Sequence, residues 1–404
     1  MRATWRIGSL FGIPLYIDSS WFLILAFVTL IDASDISESG LSGNAPWLGW
    51  LTALLMALLL FVSVLLHELG HSLVARAQGI TVHSITLFLF GGIASIDRES
   101  KTPAGALLVA IAGPLVSLSL SGVFFALAQG LREASLLGFL TSDLARINLV
   151  LALFNLIPGL PLDGGQVLKA LVWKLTGDRF KGVRWAAASG QWLGWFGITT
   201  GLFFFLLAGQ ISALWLVFIG WFVLRSANAY SQLTLLQESL LTLIAADAMT
   251  GDFRVVNAHL TLREFAETYL LSDSGAAVPY YAASEGRYRG LVKIQDVRAA
   301  DRAQWDTQHL TDIACPLTDI PSVPEKTPLI EVIRQLEETG DRSMTVLSPA
   351  GAVAGVIDRG DLVKAIATHQ SLSIPDAEIK RIKSEGTYPS YLQLPTIARG
   401  LLSE

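Results

Sequence analysis

Cysteine is nearly absent: Cys315 stands alone among 404 residues. No disulfide can form within the chain, and a reducing compartment suits the single thiol. Charge is scarce too. Asp, Glu, Lys and Arg make up 16% of the chain and hydrophobic residues 52%, whereas a soluble globular protein carries roughly 25% charged residues. Mean hydropathy is +0.51, so a large part of the chain belongs in lipid. The formal net charge of -5 offers no basic field, and no nucleic-acid partner is expected. There is no Gly-x-Ser-x-Gly elbow and no Walker loop, which excludes those nucleophile and phosphate-binding chemistries. The first apolar run, Trp21 to Ile31, ends at Asp32 without a small-residue cleavage site; it is read as a retained span.

A hydrocarbon core of about 30 Å takes about 20 apolar residues as helix, and six stretches qualify, at roughly 19–32, 48–77, 105–129, 147–171, 192–208 and 213–230. A tight Gly209-Gln210 turn joins the last two. Lys and Arg are unevenly placed between them. Arg2, Arg6, Arg76, Arg98, Lys101, Lys174, Arg179, Lys181 and Arg184 fall on one side, and only Arg132 and Arg146 on the other. The loop 33–47 carries Asp35 and Glu38 but no Lys or Arg. This bias predicts a cytoplasmic N-terminus, 78–104 loop, 172–190 loop and C-terminal part. An even number of spans is consistent with it.

Beyond about residue 231 hydropathy falls, and an internal repeat appears at an offset of about 65 residues. Asp247, Leu262, Glu264, Gly290 and Asp296 recur as Asp312, Leu329, Glu331, Gly355 and Asp361. Each copy reads as helix, short strand, then a Gly-led strand running into a helix at the Asp. Pro375, Pro389 and Pro395 mark the stretch after residue 370 as a linker or loose extension.

The chemistry sits in the second span. His67-Glu68-Leu69-Gly70-His71 places two imidazoles four apart, on one face of a helix. Together they can grip one zinc ion, with Glu68 beside them as general base toward a metal-bound water. Three ionisable residues within five positions of a span are expensive and mark function. The plainer reading is a polar helix face lining an ion path. A catalytic zinc takes three protein ligands and an open position, so a third must come from elsewhere. Asp163, in Asn155-Leu-Ile-Pro-Gly-Leu-Pro-Leu-Asp163-Gly164-Gly165, is the sole carboxylate between Arg146 and Lys174. Its prolines and glycines interrupt the helix, which lipid tolerates only in a buried or wet setting. Asp163 is then either a metal ligand or the cap of a helix starting at Gly164.

His67 to His71, Ala112-Gly113-Pro114, Asn155 through Gly165 and the early Gly12-Ile13-Pro14 resemble, in order and spacing, the site-2 protease family of intramembrane metalloproteases. The likeness covers roughly residues 1–230. The repeat resembles a tandem pair of CBS domains, as in a prokaryotic subgroup of that family. The implied fold is a polytopic α-helical membrane domain of six spans, with small β elements near the active site, followed by a soluble α/β CBS module. The implied division is a protease domain 1–230, a linker 231–244, CBS domains 245–304 and 305–369, and a tail 370–404.

The resemblance further implies one zinc per chain held by His67, His71 and Asp163. Glu68 would deprotonate the water and pass the proton to the leaving amine. Asn155 would hydrogen-bond substrate or oxyanion. Phe90-Gly91-Gly92-Ile93-Ala94 resembles a membrane-dipping hairpin, with Gly91 and Gly92 on a strand offered to an unwound substrate. Single-pass membrane proteins in the lipid bilayer of a prokaryotic inner membrane are the implied substrates. Among them the family suggests tethered anti-sigma factors, transcription factors or signal-peptide remnants.

His83, His259, His309 and His369 are read as non-ligands. In the CBS pair, Asp296 and Asp361 match the aspartates that hold the ribose of an adenine nucleotide. Lys293 and Asp358 stand three residues earlier, where nucleotide binders have Ser or Thr. That departure speaks against a nucleotide and for a dimerisation or gating module, with a homodimer through CBS domains as its expected form. The alternative function is a CBS-gated transporter or channel using the His/Glu/Asp cluster as an ion path. No inverted repeat supports it.

Overall fold

The computed structural model describes residues 4–38, 45–89, 91–131, 135–271, 278–389 and 392–402; Arg2, Phe90 and Arg132 of the sequence argument lie outside them. The chain divides into two compact units, Met1–Thr234 and Leu235–Glu404.

The first unit opens with a hairpin of β1 (Thr4–Leu10) and β2 (Ile13–Asp18). Phe11 and Gly12 turn it with φ of 49° and 78°, the left-handed pair that a two-residue hairpin loop requires. Helices α1 (Ser20–Glu38) and α2 (Pro46–Ala77) then lead to β3 (Val82–Phe88) and β4 (Gly91–Ile96). β3 runs parallel to β2, and β4 antiparallel to β3. The sheet order β1-β2-β3-β4 leaves β4 as an edge. Ile13, Leu15, Val82 and Ile85 of the sheet share one buried cluster with Leu69 and Ala75 of α2. Each aliphatic side chain so buried contributes about 1.5–3 kcal/mol. The sheet is thereby fixed against the part of α2 that carries the His-Glu-x-x-His sequence.

The unit continues with α3 (Pro103–Gln129), α4 (Leu136–Asn155), α5 (Asp163–Thr176), α6 (Arg179–Ala208) and α7 (Ala213–Thr242). Thr102 caps α3, accepting the Gly105 N–H at 3.1 Å. Among the described residues six helices, α1, α2, α3, α4, α6 and α7, are long and apolar enough to cross a membrane. In lipid, close helix packing needs small residues. Gly194 of α6 meets Gly220 of α7 so closely that a Cβ at 194 would stand 2.8 Å from the Gly220 carbonyl oxygen.

Three sequence expectations need correction. The fourth span is not 147–171. It is α4, ending at Asn155, and the chain restarts as α5 at Asp163, because Pro158, Gly159 and Pro161 cannot continue an α-helical ladder. Arg146 is not in a loop. It lies inside α4 and pairs with Asp143 one turn away. The linker expected at 231–244 is helical through Thr242, as the end of α7.

The second unit holds α8 (Ala245–Ala248), β5 (Arg254–Asn257), α9 (Leu262–Phe265), β6 (Tyr280–Ser284), β7 (Arg287–Val292), α10 (Ile294–Ala299) and α11 (Leu310–Ile313). It continues with β8 (Ser322–Pro324), α12 (Leu329–Thr339), β9 (Ser343–Leu347), β10 (Val353–Asp358), α13 (Arg359–His369), α14 (Asp376–Glu385) and α15 (Leu394–Leu402). The repeat is visible as two three-stranded sheets of one design. β5 pairs parallel to β6, which pairs antiparallel to β7; β8, β9 and β10 do the same. The repeated aspartates also match. Asp247 accepts the Ile244 N–H and Asp312 the His309 N–H, both at 2.9 Å.

The copies exchange segments. Thr250 and Val356 bond reciprocally, as do Leu291 and Cys315. Ala245 and Ala248 therefore lie in the core of the second copy, with Val323, Leu329 and Ile357. Leu310 lies in the core of the first, with Val256 and Val292. The stretch after residue 370 is not a loose extension. Ile379 and Ile382 of α14 and Leu394 and Ala398 of α15 are buried in the second copy's core. Pro375 stands at the N-cap of α14 and Pro395 in the first turn of α15, where proline starts helices rather than ending them.

Candidate metal centre

His67 and His71 project from one face of α2, and both are buried. Asp163, the first residue of α5, faces them. Its Oδ2 lies 3.0 Å from His67 Nε2 and 3.3 Å from His71 Nε2, and the two Nε2 atoms are 3.3 Å apart. The sequence left Asp163 as cap or ligand. Leu162 is the N-cap residue, with no side-chain cap bond, and the carboxylate turns toward the imidazoles.

That turn depends on the broken segment folding back on α5. A Cβ at Gly164 would stand 2.2 Å from the Leu156 carbonyl oxygen, and one at Gly165 2.3 Å from the Leu160 nitrogen. Only glycine admits so close a backbone approach. Leu160 is fully buried and its N–H donates to Ala186 O of α6 at 3.0 Å. The irregular backbone is thus buried in protein, as lipid requires.

The outer ring nitrogens are occupied. His71 Nδ1 donates to the Val109 carbonyl at 2.7 Å, and His67 Nδ1 lies 2.9 Å from Ser117 Oγ. A carbonyl accepts only, so a neutral His71 presents its Nε2 lone pair inward. That lone pair would face an acidic oxygen and a second imidazole with no proton between them. A cation resolves the conflict. A tetrahedral zinc with ligands at roughly 2.0–2.1 Å sets ligand atoms about 3.3 Å apart, close to the spacing here. The three residues could hold a metal ion, and their chemistry and spacing fit zinc.

α3 completes the cradle. A Cβ at Gly113 would stand 2.2 Å from His71 Nε2 and 2.7 Å from His67 Nε2, so the imidazoles fit only against glycine. Val109 and Ser117 stand on the same helix, on either side of it. Glu68 is half-buried next to the histidines, and β4 runs past it at Gly92. Gly91 has φ of 129°, a conformation that favours glycine.

The sequence profile of Peptidase family M50 matches residues 55–138 and 131–191. The protein sll0528 of Synechocystis sp. is 39% identical over 368 residues, covering 90% of this chain and 95% of that protein. The chain belongs to peptidase family M50, the site-2 protease family. Zinc metalloprotease MJ0392 of Methanocaldococcus jannaschii is 28% identical, over 91% of this chain and 97% of its own length. A solved structure, the site-2 protease from Methanocaldococcus jannaschii, shares 32% identity and a TM-score of 0.41, covering 57% of this chain and 95% of that one. The CBS domain profile matches residues 310–368 of the protease, within the second copy of the repeat.

The remaining predicted residues fall outside the three-ligand cluster. Asn155 closes α4, half-buried, just before the break. His83 is exposed, 3.5 Å from Asp97, and His369 Nδ1 lies 3.1 Å from Ser239 Oγ. Asp296 is exposed at the start of α10. Asp361 is buried, accepts the Asp358 N–H at 3.1 Å and lies 2.6 Å from Lys383 Nζ. Sequence reasoning missed Ser117 and the spatial role of Gly113. A hydroxyl one turn beyond a Gly-Pro pair in a span was the only signal available for Ser117.

Proposed function

We propose that this chain is an intramembrane zinc endopeptidase that hydrolyses a peptide bond within or next to a transmembrane segment of a membrane protein. The single observation carrying this reading is the convergence of His67, His71 and Asp163 at zinc-ligand spacing beside a carboxylate, Glu68. These three residues would hold one zinc. When bound, the ion supplies Lewis acidity toward water and toward the scissile carbonyl.

The chain's own residues do the rest. Glu68 takes a proton from the attacking water and returns it to the leaving amine. β4 offers its unpaired edge to the substrate, since a helical peptide bond hides its carbonyl and must be drawn out as a strand. Gly91 and Gly92 keep that edge free of side chains next to Glu68. Asn155, at the broken end of α4, is assigned to hydrogen bonding of substrate or oxyanion. An ion path would need ionisable groups spread along a route, whereas these meet at one point.

The Lys and Arg bias, with Arg146 now paired inside α4, supports a cytoplasmic N-terminus and CBS module in a prokaryotic inner membrane. α5 does not cross, so six spans still return the chain to its starting side. The CBS pair is assigned a modulating and dimerising role. Lys383 already neutralises Asp361, which argues against a nucleotide at the second copy.

The decisive experiment pairs elemental analysis with cleavage of a single-pass membrane substrate. Wild type should carry about one zinc per chain, and folded His67→Ala and Asp163→Ala none. Glu68→Gln should keep its zinc and lose cleavage. Cleavage by Glu68→Gln, or a folded wild type without zinc in zinc-containing buffer, would overturn the reading.

A further inference from the structure

Lys169 is a buried cation of the membrane unit that the chemistry above does not use. It stands on α5, less than two turns beyond Asp163, and its side chain is 5% exposed. Its ammonium lies 2.9 Å from Glu99 Oε2, and the Arg179 guanidinium, opening α6, lies 3.3 Å from the same oxygen. A buried ammonium without a counter-charge is strongly unfavourable, so Lys169 depends on Glu99. Glu99 sits on the loop between β4 and α3, shortly past the strand's last residue, Ile96. One carboxylate therefore links the exit of the edge strand to the helix headed by Asp163 and to the helix behind it.

Both ends of this link are stiff. α5 and α6 meet backbone to side chain at Lys169, where a Cβ at Gly182 would stand 2.5 Å from the Lys169 carbonyl oxygen. On the other side, Ser100 Oγ donates to Gln78 Oε1 at 2.8 Å, and Gln78 Nε2 donates to Gly105 O at 3.1 Å. The loop bearing Glu99 is thus held to the end of α2. In sequence, α3 and α4 separate β4 from α5, so the covalent chain sets their spacing poorly. The site needs that spacing fixed, because β4 reaches Glu68 from one side while Asp163 reaches the histidines from the other.

We propose that Glu99, Lys169 and Arg179 form a positioning tie that sets edge strand β4 relative to the helix carrying Asp163. Its purpose rests on the protease reading, in which β4 receives substrate, but the spacing it fixes is measurable without any substrate.

The test uses the full chain in detergent, with Cys315→Ser, Ile93→Cys and Leu171→Cys carrying nitroxide labels. Ile93 is 56% and Leu171 43% exposed. Double electron–electron resonance then reads the β4–α5 distance distribution. Glu99→Gln should widen that distribution roughly twofold in folded protein, and the swap Glu99→Lys with Lys169→Glu should return it to the wild-type width, as coupled residues do. In the swap, Lys at 99 and Arg179 again share one carboxylate. An unchanged width in folded Glu99→Gln would overturn the proposal, even if its melting temperature fell. Should Glu99→Gln fail to fold, a folded swap that stays broad would overturn it equally. Failure of the protease reading has a separate signature, cleavage by Glu68→Gln, which leaves these distances untouched.

Discussion

A Cβ at position 92 would stand 2.4 Å from Glu68 Cγ and 3.2 Å from its Oε1. The edge strand and the proposed general base are in contact because residue 92 is glycine. A peptide added to β4 would consequently lie beside the one carboxylate able to take a proton from water. Strand addition and proton transfer share the same few ångströms of space.

Gly92→Ala should therefore uncouple chemistry from metal binding. Its methyl would push the Glu68 side chain by about 1 Å, a displacement that costs on the order of a hundredfold in rate. Zinc content should stay at the wild-type level, since no ligand touches residue 92. Cleavage rate and elemental analysis on one preparation check this. Activity within about threefold of wild type would mean that Glu68 works from another position.

Gly113→Ala attacks the other side of the centre. Its Cβ would press on both inward imidazole nitrogens, against rings held by Val109 O and Ser117. Zinc should be lost. Gly122, on the same helix, has open space around its missing Cβ, so Gly122→Ala controls for helix effects and should keep zinc. Equal zinc in both folded variants would contradict the cradle.

How much of this was legible in the sequence depended on range. His67 and His71 were readable because four-residue spacing on a helix is local geometry. Span four was misplaced because Leu156, Ile157, Leu160 and Leu162 keep the hydropathy high through a break that Pro158 and Pro161 impose. Composition does not distinguish a crossing helix from an irregular segment buried against α6. The role of Gly113 depends on how α3 approaches α2, which no pattern within α3 records. In the soluble unit the repeat spacing was correct, yet it could not reveal that Ala245 and Leu310 each serve the other copy's core. The prolines after residue 370 were misread as breakers because a helix start and a linker use the same residue.

Ser117→Ala tests the support of a ligand. Ser117 is fully buried and meets His67 Nδ1 at 2.9 Å. Losing it frees the ring to rotate or to switch tautomer, which typically costs about 10–100-fold in metal affinity. Chelator competition should show that loss with melting little changed. Unaltered zinc affinity would assign Ser117 to helix packing alone.

The last prediction concerns charge in the soluble unit. Lys383 of α14 lies 2.6 Å from Asp361 and 3.3 Å from Asp358, and Gly360 between them leaves room for its Cγ. The Asp361 side chain is 2% exposed. Burial, then the nearby Asp358, push its carboxyl up to about 6, while Lys383 draws it down. A carboxyl raised in the folded state adds stability at low pH, and that stability fades as pH rises through about 6. Lys383→Met removes the opposing cation, so the carboxyl should rise further and the fade deepen. At pH 7.5 the soluble unit should lose about 1–2 kcal/mol, or roughly 3–6 °C in melting temperature. Part of that loss should return at pH 5, where Asp361 is protonated. Adding Asp361→Asn should remove most of the pH dependence. A Lys383→Met protein that melts like wild type at both pH values would show that α14 is held by Ile379 and Ile382 alone.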